Sequence, residues 1–127
     1  MKRFLPLAAA GMLAPGLLLG LPPASGAPAG PSGEALFRQQ CAACHSLEAG
    51  KQTPLGPNLR GIAGRRAGAT SFSYSPQLKQ SRLTWTAAEL DRFLAAPTRV
   101  VPGTRMPIGV SNPAQRAALI AYLTAAR

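Results

Sequence analysis

The sequence predicts a small all-α domain of three main helices, with shorter helical turns and long loops between them. Three observations predict it. Helix start signals recur at Ser32, Ser75-Pro76, Thr86 and Asn112-Pro113. The stretches between them are dense in glycine and proline, and no run of alternating β-branched residues marks a strand. Residues 41–45 read Cys41-Ala42-Ala43-Cys44-His45, a C-x-x-C-H run that is the attachment signal for a c-type heme. A chain too short for a large core can close around a porphyrin instead.

The elements follow in order. Lys2-Arg3, the apolar run Phe4 to Leu21, Pro22-Pro23 and the small residues Ala24-Ser25-Gly26 form the pattern of a secretory signal peptide over 1–26, with cleavage expected before Ala27. The alternative is an uncleaved anchor, since the run is almost long enough to span a bilayer. Pro6, Pro15 and the glycines at 11, 16 and 20 argue against a stiff spanning helix. Residues 27–31 read as a flexible leader, and 32–127 as one domain. Ser32 caps a first helix that runs through Leu36, Phe37 and Gln40 into the cysteine motif, about three turns long. Residues 46–68, punctuated by Gly50, Pro54, Gly56, Pro57, Gly61, Gly64 and Gly68, form a long loop. Ser75-Pro76 opens a short helix to about Gln80. Thr86 and Glu89 match a capping box, ahead of the stripe Leu90, Phe93 and Leu94, and this helix ends near Ala96. Residues 97–112 are expected to be a second loop, and Asn112-Pro113 starts a last helix carrying Leu119, Ile120, Tyr122 and Leu123.

The cysteine motif admits two other readings, half of a zinc site or a redox dithiol. A structural zinc needs four protein ligands, and residues 41–45 hold every cysteine and histidine of the chain. A thioredoxin-like dithiol sits among alternating strands and helices, and none is indicated near Cys41. In the heme reading Cys41 and Cys44 form thioethers with one heme c, and His45 ligates the iron. One axial position then decides the chemistry. Met1 and Met12 leave with the signal, so Met106 is the remaining methionine, set in a loop between Arg105 and Pro107. His45/Met106 ligation closes the iron and favours electron transfer; a lysine, of which Lys51 and Lys79 remain, or an open position would suit a peroxidase or gas sensor.

The formal net charge is +10, and loss of Lys2 and Arg3 lowers it by two. A body this basic is steered towards acidic surfaces. Arg99, Arg105, Lys51, Arg66 and Lys79 are expected to form a basic rim around the exposed heme edge.

The chain resembles the class I c-type cytochromes, specifically mitochondrial cytochrome c and bacterial cytochrome c2. The residues that carry the resemblance are Gly33 and Phe37 before the cysteine motif, Gly56-Pro57-Asn58-Leu59 with Gly61, Gly64-Arg65, Gly68, Trp85, Pro97, Pro102-Gly103-Thr104-Arg105-Met106, and Leu119-Ile120-Ala121-Tyr122-Leu123. It implies a cytochrome c fold in which the Pro57 carbonyl accepts the second imidazole N–H of His45, and in which Tyr74, Trp85 and Arg65 hold the heme propionates. Gly33 and Phe37 would meet Leu119 and Tyr122 where the first and last helices cross. Two residues depart from the family: Phe93 stands where a tyrosine is usual, and Leu78 where an asparagine is frequent. They imply a drier pocket beside Met106. One residue is also missing between Gly68 and Phe72 relative to the family.

The function implied is that of a one-electron carrier, not an enzyme, working in the periplasm in a respiratory or photosynthetic chain. Its partners would be a quinol–cytochrome c oxidoreductase of the cytochrome bc1 type and either a terminal oxidase or a photosynthetic reaction centre, met transiently at the membrane surface. A monomer with no nucleic-acid role is expected. The alternative is a dedicated or membrane-anchored heme subunit of a single dehydrogenase or oxidase.

Overall fold

The computed structural model describes residues 30–127, and the expected signal peptide and residues 27–29 of the leader lie outside them. Five helices are built in this range: α1 Gly33–Gln40, α2 Pro76–Gln80, α3 Ala87–Ala95, α4 Pro97–Val100 and α5 Pro113–Ala125. Each of the four expected starts is made by its expected cap. Ser32 Oγ accepts from Ala35 N at 3.2 Å, Ser75 Oγ from Leu78 N at 3.2 Å, and Thr86 Oγ1 from Glu89 N at 3.2 Å. Asn112 Oδ1 accepts from Ala114 N at 2.9 Å and Gln115 N at 3.1 Å. Such caps satisfy amide donors that a helix start otherwise leaves open.

Three local expectations need correction. The first helix is 8 residues long, roughly two turns rather than three. It tightens into turns at the motif, where the N–H groups of Cys41 and Ala42 share the Phe37 carbonyl. The capping box is half made: Glu89 does not reach back to Thr86 but pairs with Arg92 at 2.8 Å, and Thr86 N donates to Thr84 O. The segment after Pro97 is not all loop, because α4 forms with proline in its first turn. Proline there loses no helical hydrogen bond and arrives with its φ already set.

The helices converge on one core. α5 packs on both α1 and α3, and α4 folds back on α3. Leu36 and Leu119 are the most deeply buried side chains, joined by Phe37, Leu90, Leu94 and Leu123. Gly33 sits at the α1–α5 crossing. A Cβ there would overlap the carbonyl oxygen of Ala118 and lie 2.6 Å from Tyr122 Cβ, so glycine is what lets the two backbones touch. Phe37 and Tyr122 rings pack 5.9 Å apart beside it.

The long loop follows the core surface back towards the helices. Where it passes the chain ahead of α3 the two form a single antiparallel bridge, Arg66 to Thr84, the one β interaction among the described residues. Trp85 N donates to Arg65 O at 2.8 Å and Ala67 N to Leu83 O at 2.8 Å. Side chains alternate across this ladder as a strand pair requires: Ala67 and Trp85 are buried, Arg66 and Thr84 exposed.

Candidate functional site: a cavity between His45 and Met106

Helices α1, α3 and α5 leave a largely apolar cavity of about 170 Å³, lined on its remaining sides by the two loops and by residues of the segment 72–85 that includes α2. Cys41, Cys44 and His45 enter it from the end of α1, and Met106 from the loop between α4 and α5. Pro57, Arg65, Tyr74 and Trp85 line it as well, so the structure brings all eight residues singled out from the sequence to one site.

His45 is held by its surroundings. Its Nδ1 lies 2.8 Å from the Pro57 carbonyl oxygen. A carbonyl can only accept, so Nδ1 carries the proton and Nε2 keeps a free lone pair. Burial lowers the imidazole pKa, opposed by the Pro57 bond, which favours the neutral, metal-binding form. Gly56 presses on the ring, and a Cβ there would lie 2.7 Å from His45 Cε1 and 2.7 Å from the Cys44 carbonyl oxygen. Thr53, which the sequence did not single out, donates its hydroxyl to the Cys44 carbonyl and lies 2.9 Å from the Gly56 carbonyl. Its place three residues before Gly56 has the form of a local side-chain turn, yet its contact with Cys44 has no signature in sequence. The Cys41 thiol pKa is pushed up to about 11 by burial and by Cys44.

The walls are largely apolar, with charged side chains only at Arg65 and Arg105 besides the imidazole. Phe93 and Leu78, the two departures from the family pattern, both line the cavity. Phe93 is buried with its ring 5.0 Å from that of Trp85. Arg65 donates to the carbonyls of Asn58 at 2.8 Å and Arg60 at 3.2 Å. It has no carboxylate partner among the described residues, and burial pulls its pKa down while Tyr74 raises it. A half-buried cation without an anion is suited to a carboxylate arriving with a ligand. The Tyr74 hydroxyl already has a protein partner, Thr70 Oγ1 at 2.6 Å.

Leu55 and Ile108, exposed at 68% and 55%, both line the cavity and mark its mouth. Of the five cations expected at a rim, Arg105 alone is a lining residue. Lys51 is paired with Glu48 at 3.2 Å, and Arg66 lies on the outer face of the β-bridge. No helix among the described residues is long and apolar enough to cross a membrane.

The donor set fits a covalently held heme: two thiols and an imidazole whose Nδ1 is tied to Pro57, a thioether from another loop, largely apolar walls, and two cations, Arg65 and Arg105, without a carboxylate partner among the described residues. Comparison with known proteins agrees. The family model described as "Cytochrome c" matches residues 31–126. The chain is 42% identical over 103 residues to cytochrome c of Guizotia abyssinica, covering 78% of this chain and 93% of that one. It is 48% identical over 85 residues to cytochrome c2 iso-2 of Magnetospirillum fulvum, covering 65% and 88%. Among solved structures, cytochrome cH from Methylobacterium extorquens matches with a TM-score of 0.68 and 42% identity, over 73% of this chain and 94% of the other. The chain therefore belongs to the cytochrome c family: it has the all-α cytochrome c fold, binds heme c covalently through Cys41 and Cys44, and is an electron carrier and not an enzyme.

Proposed function

We propose that His45 and Met106 would ligate the iron of that heme and that the protein shuttles single electrons through the cavity mouth at Leu55 and Ile108. The observation that carries the reading is that His45, its Nδ1 tied to Pro57, and Met106, from a separate loop, line one largely apolar cavity. When bound, the heme supplies one-electron iron chemistry, with a potential raised by methionine ligation. The chain's own residues do the rest. Pro57 holds the imidazole in the tautomer that leaves Nε2 free and raises its basicity. Arg65, together with Trp85 and Tyr74, receives the propionates, and Leu78, Phe93 and Leu94 keep water from the Met106 side.

The carrier is exported by cleavage of residues 1–26 and works in the periplasm, docking on acidic surfaces of a cytochrome bc1-type complex and of a terminal oxidase or photosynthetic reaction centre. The charge distribution supports this. All four acidic residues are paired with neighbouring cations, which leaves the exposed Arg60, Arg66, Lys79, Arg82, Arg99, Arg105 and Arg127 to set the outward field. A visible and near-infrared spectrum of the purified periplasmic protein in both oxidation states tests ligands and location together. The methionine–iron charge-transfer band should be present at neutral pH in the ferric state, and rapid carbon monoxide binding to the ferrous state would refute closure by Met106. Electron transfer to either partner should slow as salt is added.

A further inference from the structure

We infer that Arg116 is a positioning residue for Met106, holding the returning limb of its loop so that the thioether stays aimed into the cavity. This rests on Met106 being the sixth ligand. Arg116 stands near the start of α5, and its side chain is only 11% exposed. A guanidinium so far from water needs hydrogen-bond partners. It has three. Nε donates to Asp91 Oδ1 on α3 at 2.8 Å, and Nη1 donates to the carbonyls of Val110 at 3.0 Å and Ser111 at 2.9 Å.

Those carbonyls belong to the limb that descends from Met106 to α5. The N–H of Val110 is bound too, to the Leu94 carbonyl of α3 at 2.7 Å, and its side chain is buried. Residues 107–109, between Met106 and these ties, are exposed. On the rising limb Arg105 donates to the Ser73 carbonyl at 2.9 Å. Met106 is thus slung between two arginine ties, of which Arg116 is the buried one.

A plain helix–helix ion pair would need Asp91 alone, and Asp91 is 49% exposed, so water can serve it. Two of the three bonds instead go to loop carbonyls, a forked geometry that lysine cannot copy. With the loop held in its ligating shape, the thioether has a high local concentration at the iron; with the limb freed, a dissolved ligand competes better.

The test uses the heme-loaded full chain in the ferric state. Imidazole is titrated in, and its displacement of methionine is followed by loss of the charge-transfer band. R116M should bind imidazole about tenfold more tightly than the wild type. D91N, which keeps both carbonyl bonds, should move by less than about threefold. R92M, which breaks the exposed Glu89 pair on the same helix, should leave imidazole affinity unchanged. A lower melting temperature for R116M with unchanged imidazole affinity overturns the inference, since it marks a purely structural role. Should R116M not fold, R116K against D91N decides: tighter imidazole binding by R116K supports the tie, and the reverse order overturns it. A wild-type protein without the band at neutral pH refutes the Met106 reading itself, and the inference with it.

Discussion

The two sides of the cavity are built in different ways. On the His45 side everything lies within a short stretch of chain: the cysteines and histidine are consecutive turns after α1, and Thr53, Gly56 and Pro57 return to them about a dozen residues later. On the other side Met106 sits in a loop held by Ser73, Leu94 and Arg116, the last braced by Asp91, all from three other parts of the fold. A side chain packed and hydrogen-bonded by its neighbours in sequence is held locally; one hung on distant elements moves when any of them moves. The His45 side should therefore resist perturbation until the fold fails, and the Met106 side should yield first.

Four substitutions probe that contrast. The largest effect is expected from Gly33→Ala, which wedges α5 away from the helix that carries the cysteine motif. A backbone carbonyl cannot step aside, so a loss of about 3 kcal/mol is expected in denaturant unfolding of the heme-loaded protein. Next is Gly56→Ala, whose methyl meets the His45 ring and the Cys44 carbonyl. It should cost about 2 kcal/mol and alter the histidine–iron spectrum while the methionine band persists. Gly109→Ala is its counterpart on the other side, with a Cβ 3.0 Å from the Leu94 carbonyl and 3.2 Å from Pro97 Cδ. A cost of about 1 kcal/mol should come with tighter imidazole binding, and an unchanged affinity would mean that the two sides are equally stiff. A stability change no larger than that of Gly109→Ala, at most about 1 kcal/mol, is expected from Phe93→Tyr, which adds a hydroxyl to the dry wall. A redox titration should show an altered potential, and an identical one would remove polarity at this wall as a determinant.

Much of the fold was legible because its signals are local. Four helix starts were read from Ser32, Ser75, Thr86 and Asn112, each of which bonds to an amide two or three residues ahead. Where a local signal had a competitor it misled: Glu89 could reach back to Thr86, but Arg92 one turn on is a charged partner and Thr84 already occupies the Thr86 amide. The short helix α4 was hidden because Pro97 reads equally as a stop and as a first-turn residue.

Composition and motif spacing alone specified the heme attachment, the histidine and the all-α class, since each depends on residues a few positions apart. Folding was needed to bring Met106 to the cavity that His45 lines, to close Gly33 onto Ala118, and to bury Arg116 between α3 and the methionine loop. The first two bring together residues more than 60 positions apart, and Arg116 reaches Asp91, 25 positions away, although its bonds to the loop are local. Their existence depends on how apolar faces pack around the heme cavity, and no short window of sequence carries that information.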